Sequence, residues 1–118
     1  MDSKFYVSYK VARLLKEKGY TKALEDFDFV YLKDASLSPR VFLHTSPFIA
    51  APTKAEAIDW LDTKEIVIEI SSVRNRKWRF SIYKNGWFQI DSWIHDRLDF
   101  STRLEAEEAA IIRACELL

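Results

Sequence analysis

The sequence predicts an α+β domain spanning residues 1–118: an antiparallel sheet of four or five strands with about three helices on one face, in the order α-β-β-α-β-β-β-α. Three features carry this expectation. Helical apolar spacing follows capping residues at both ends of the chain, Ile66 to Ser71 alternates apolar and polar side chains, and Asn85-Gly86 marks a tight hairpin. The composition, 48% hydrophobic and 31% charged, supplies both a core and a water-facing surface, and a chain of this length can bury roughly two thirds of its unfolded surface.

Ser8 stands where a helix N-cap is wanted, and Val11, Leu14 and Leu15 follow at helical spacing. Gly19 then supplies a left-handed stop, which turns Tyr20 back toward Leu15. Phe29 to Lys33 and Val41 to Thr45 read as strands, with Asp34 to Arg40 as the link of a hairpin. The stretch Ser46 to Pro52 carries two prolines, which remove backbone donors, and is expected to be an irregular connector.

Thr53-Lys54-Ala55-Glu56 matches a capping box, in which each side chain satisfies the other residue's unpaired amide. The helix it opens presents Ile58 and Leu61 with Trp60 beside them and ends near Thr63. Ile66, Ile68 and Ile70 give one buried face to the next strand, and a third strand begins near Trp78. At Asn85-Gly86 the register matters, because a slip of one residue turns every side chain over. A three-residue loop, Lys84-Asn85-Gly86, places Ile82 opposite Phe88 and Phe80 opposite Ile90, and so sends Trp78, Phe80, Ile82, Phe88 and Ile90 to the core. Asp91 to Asp99 lacks a clean period and reads as a strand end and a loop. A final helix from Ser101 or Thr102 carries Leu104, Ile111, Ile112, Cys115 and Leu118 on one side, with Glu105, Glu107 and Glu108 near its positive end.

Several function classes lose support at this level. Lys+Arg and Asp+Glu both number 18, so no net field attracts nucleic acid or an anionic membrane. The single cysteine, Cys115, has no intrachain partner and sits on the apolar stripe of the last helix. No secretory leader and no apolar run of about 18 residues is present, so the expected location is the cytoplasm, without membrane contact. With only Gly19 and Gly86, no glycine-rich phosphate loop can form, and His44, His95 and Cys115 make no metal-ligand pattern. No cofactor is expected. Asp91-Ser92-Trp93-Ile94-His95-Asp96 contains the residue types of a hydrolase, but no nucleophile elbow or oxyanion glycine accompanies Ser92 and His95, and no catalytic residue is assigned.

Ala51-Pro52-Thr53 with Ile58-Asp59-Trp60-Leu61, the aromatic hairpin, Glu108 through Leu118 and the opening Val11 to Tyr20 together resemble a group of small uncharacterised proteins encoded by bacterial phages and prophages. This chain departs from that pattern at Asp91 to Asp99, which is longer. The group offers no catalytic or binding residue to carry over. The resemblance implies a phage-derived accessory protein of the cytoplasm, and no chemistry. From Lys54 onward the element order is also similar to that of the double-stranded-RNA-binding domain. That family grips phosphates with a lysine-rich start to its last helix, whereas this helix opens with Arg103 against three glutamates, and Glu56, Asp59 and Asp62 would repel a phosphate backbone.

What remains is the hairpin's other face. Arg74, Arg76, Lys77, Arg79, Tyr83 and Trp87 form the candidate partner-binding set, with Tyr83 and Trp87 expected as a cross-strand pair. A solvated strand would use the same cations to deter edge pairing, with Arg79 along Tyr83 or paired to Glu69. The expected function is non-enzymatic binding of a phage or host protein, or self-association, through this face. A nucleic-acid domain that stacks bases on the same aromatics is the alternative.

Overall fold

The computed structural model describes residues 3–20, 29–32, 34–39, 48–92 and 99–118. The fold is α+β, and the strands of the described residues divide into two three-stranded antiparallel sheets, ordered β2-β1-β3 and β4-β5-β6, in place of one sheet of four or five. The helices are α1 (Tyr9–Glu17), α2 (Lys54–Thr63) and α3 (Arg103–Cys115). The strands are β1 (Phe29–Leu32), β2 (Leu37–Pro39), β3 (Phe48–Ala50), β4 (Ile66–Val73), β5 (Lys77–Lys84) and β6 (Trp87–Asp91).

Local signals set the helix ends. The Ser8 hydroxyl accepts from Val11 N at 3.2 Å, and Gly19 at φ +99° closes α1 with Tyr20 N donating to Leu15 O and Gly19 N to Lys16 O. These two bonds satisfy carbonyls that the last turn would leave open, and they turn the backbone of Tyr20 back to Leu15 as expected, with both residues buried. The capping box of α2 is complete: Glu56 N donates to Thr53 Oγ1 at 3.1 Å, and Thr53 N donates to Glu56 Oε1 at 3.0 Å. Thr102 caps α3 through Glu105 N.

Two stretches expected to be irregular contain strands. Leu37–Pro39 pairs with Phe29–Tyr31, so the hairpin link is shorter than Asp34 to Arg40 and is tightened where Ser36 donates from its hydroxyl and its N–H to Asp34 Oδ1. Phe48–Ala50 pairs with β1 from the other side. The prolines did not prevent this. Three extended residues fit between Pro47 and Pro52, and Pro39 ends an edge strand, where a missing donor costs little. The strand expected at Val41 to Thr45 lies outside the described residues.

Among the described residues a buried cluster connects the two sheets. It joins Val11 and Leu15 of α1, Tyr31 of β1, Leu61 of α2, Phe80 and Ile82 of β5, and Ile111 of α3. Helix α3 lies against β4 and β5 and also touches α1 and α2, so its apolar stripe is the common floor of the fold. Ile111 and Cys115 are fully buried as expected, whereas Leu118 falls beyond the helix end and is exposed.

Candidate functional site

The hairpin β5–β6 turns through Asn85 at φ 53° and Gly86 at φ 82°. Two successive left-handed residues make the two-residue turn whose twist suits the strands, and Asn85 N donates to Glu65 O at the α2–β4 junction. The observed pairs are Lys84 with Trp87, Tyr83 with Phe88, Ile82 with Ile90 and Ser81 with Asp91. The expected three-residue loop is therefore wrong. The extra residue enters one step later, at Gln89, as a bulge that resets the alternation and returns Ile90 to the core opposite Ile82.

This register moves two of the nominated side chains. Phe88, expected inside, lies on the outer face at 47% exposure, edge-on to Tyr83 with ring centroids 5.8 Å apart. Tyr83 and Trp87 do not pair. Trp87 stands opposite Lys84, whose ammonium donates to Leu117 O at 2.5 Å, and it projects from the tip at 77% exposure. Phe80 and Ile82 are buried, as expected.

The outer face of the β4–β5–β6 sheet is thus ordered in cross-strand rows. Nearest the tip are Val67, Tyr83 and Phe88; next come Glu69, Ser81 and Asp91; then Ser71 and Arg79; then Val73 and Lys77. Val67 is 42% exposed, so the first row is an apolar strip open to solvent. In the second row the Ser81 hydroxyl donates to Asp91 Oδ2 at 3.0 Å. Helices α2 and α3 pack on the opposite face, which carries Ile66, Phe80 and Ile82.

The cations gather at the far end. Arg74 and Arg76 occupy a 3-10 turn, Arg74–Arg76, that joins β4 to β5, with Asn75 and Arg76 both left-handed, and Lys77 follows it on the surface. Arg79 is half-buried and lines a polar notch of about 610 Å³ with Arg74, Asn75 and Asp99. Lys77 and Tyr83 lie six positions apart on β5, about 20 Å along a strand. The aromatics and the basic turn are therefore two patches, with Glu69 and Asp91 between them.

Ser92 is buried, and its hydroxyl accepts from Phe80 N at 3.1 Å, while Asp91 points to the outer face. Serine and neighbouring carboxylate thus lie on opposite sides of the strand; His95 and Asp96 lie outside the described residues. Among the described residues no three acidic, histidine or cysteine side chains converge as a metal set, and no helix is long and apolar enough to cross a membrane.

Sequence reasoning missed Phe88 because it took the three-residue loop, and it left Val67 out of the candidate set although the alternation from Ile66 to Ser71 already turns it away from the core. The Asn-Gly pair itself favours the two-residue turn, but the Gln89 bulge has no signature in composition or spacing. No protein-family model matches the chain, and neither a curated protein nor a solved structure matches it.

Proposed function

We propose that the protein is a non-enzymatic binding module that docks a partner protein on the outer face of its β4–β5–β6 sheet. The carrying observation is the open apolar row Val67, Tyr83 and Phe88, continued at the tip by Trp87 and bordered by Glu69 and Asp91. Exposed aromatics inside a charged rim are the composition of protein interfaces, and truncating such an anchor costs a complex about 2 kcal/mol or more. The resemblance of the sequence to phage-encoded proteins supplies the setting: an accessory protein of the cytoplasm whose partner is a phage or host protein, or a second copy of the chain.

Affinity capture with the intact protein tests the reading. Trp87→Ala and Phe88→Ser should lose the captured partner while retaining the wild-type circular dichroism spectrum, and the double variant Arg74→Ala/Arg76→Ala should keep it. Retention of the same partners by Trp87→Ala and Phe88→Ser would remove this face from the proposal.

Nucleic-acid binding is the second reading, favoured by the exposed Arg74, Arg76 and Lys77 at the base of the hairpin. Phosphate contacts would make affinity fall steeply from low to moderate salt. The separation of these cations from the stacking rings, with two carboxylates between, supports the protein reading over it.

A further inference from the structure

Among the described residues the two sheets have four edges, and they are not alike. Strands β2 and β3 are three residues long, β2 ends in Pro39, and β6 is broken by its bulge. Each of these features keeps an edge from templating further pairing. Strand β4 has none of them. Its eight residues, Ile66–Val73, contain no proline, lysine or arginine and run beside β5 in unbroken register. Among the described residues β5 is its one neighbouring strand, and the adjacent Ser71 and Ser72, which point to opposite faces, are both exposed. The core also thins toward this edge: Phe80 and Ile82 are 1% and 0% exposed, but Ile70 and Ile68, their partners on β4, are only half-buried.

We propose that β4 is the pairing edge of a weak homodimer, in which it lies antiparallel to β4 of a second copy and the two β4–β5–β6 sheets become one. The strand is its own complement. About a two-fold axis perpendicular to the sheet, opposed residues must belong to the same face, so the axis passes through a residue. An axis at Ile70 pairs residues 67–73 with their copies: Ile70 meets Ile70, Val67 meets Val73, and Glu69 meets Ser71. Ile68 and Ile70 gain cover, and Glu69 enters the row in which Arg79 stands across from Ser71 of the second copy. An axis at Glu69 would instead oppose two carboxylates, and an axis at Ile68 or Ser71 leaves only residues 66–70 or 69–73 in register. This near-palindrome names the occupant, since a foreign strand needs no such symmetry. The pairing leaves the outer face open and does not rest on its role as a docking surface.

Edge pairing buries less than the roughly 1,200 Å² of a stable complex. Sedimentation equilibrium of the intact protein should therefore show monomer and dimer exchanging between about 10 µM and about 1 mM. Ser71→Glu puts a carboxylate opposite Glu69 of the second copy but faces Arg79 in its own sheet, so the fold is kept and dimerisation should weaken about tenfold. Glu69→Ser/Ser71→Glu exchanges the two residues, sets glutamate opposite serine again and should restore the wild-type constant. Trp87→Ala and Phe88→Ser, which remove anchors of the outer face, should leave that constant unchanged. A monomer throughout this range, an unaltered constant in Ser71→Glu, no rescue by the exchange, or loss of the dimer in either outer-face variant overturns the proposal.

Discussion

Cys115 is placed by its neighbours more than by its chemistry. Its thiol is fully buried, and burial pushes its pKa up from 9.0 to about 11, with Lys18 opposing the rise and Glu116 adding to it. The folded value lies above the unfolded one, so the neutral thiol supports folding fully below pH 9, and that support is lost as pH climbs through 11. The loss amounts to about 2–3 kcal/mol. Urea unfolding at pH 8 and pH 11 should therefore show a larger fall for the wild type than for Cys115→Ala. Equal falls would mean that the thiolate is tolerated. Tyr31 acts in the same direction, since burial and then the nearby Glu108 raise its pKa; the cysteine variant isolates the thiol from it. The Tyr31 hydroxyl donates to Val7 O at 2.5 Å, a bond that no periodicity in the sequence could announce, because 24 positions separate the partners.

At the level of elements, the chain states its helices plainly and its strands less so. Capping residues act within four positions, so Ser8, Thr53 and Thr102 are legible wherever they occur. Three-residue strands such as β2 and β3 have too few alternations to give a period, and they exist because β1 offers two edges to pair with. Left-handed positions provide a contrast. An added Cβ at Gly86 meets nothing within 4 Å, so Gly86→Ala suffers only the backbone conformation and should cost about 1–2 kcal/mol in chemical denaturation. Glu65 holds φ 63° just after α2, where glycine is the residue that fits. Glu65→Gly should accordingly stabilise the protein by about 1 kcal/mol, and a lower denaturation midpoint would show that the glutamate is needed there.

Across the whole molecule, one core serves both sheets, and this has a consequence for unfolding. Phe80 is 1% exposed and contacts Phe100, with ring centroids 6.0 Å apart, while the cluster around it reaches α1 and β1. Phe80→Ala should cost about 3–5 kcal/mol. Far-ultraviolet circular dichroism and tryptophan fluorescence should still report one coincident transition, because among the described residues the buried cluster is shared by both sheets. Separate transitions would show that the β1 sheet unfolds independently.

The sequence by itself determined the class of fold, both ends of α1 and α2 and the start of α3, the inward direction of Phe80 and Ile82, and the absence of a glycine-rich phosphate loop. Each of these follows from interactions over a few residues or from composition. Only the tertiary structure decided the division into two sheets, the two-residue turn that exposes Phe88, the bulge at Gln89 that returns Ile90 to the core, the apolar row that Phe88 completes with Val67 and Tyr83, and the meeting of Lys54 with Glu108. Those outcomes depend on which distant backbones come to lie side by side, and a difference of one residue in pairing is enough to exchange the inside of a strand for its outside.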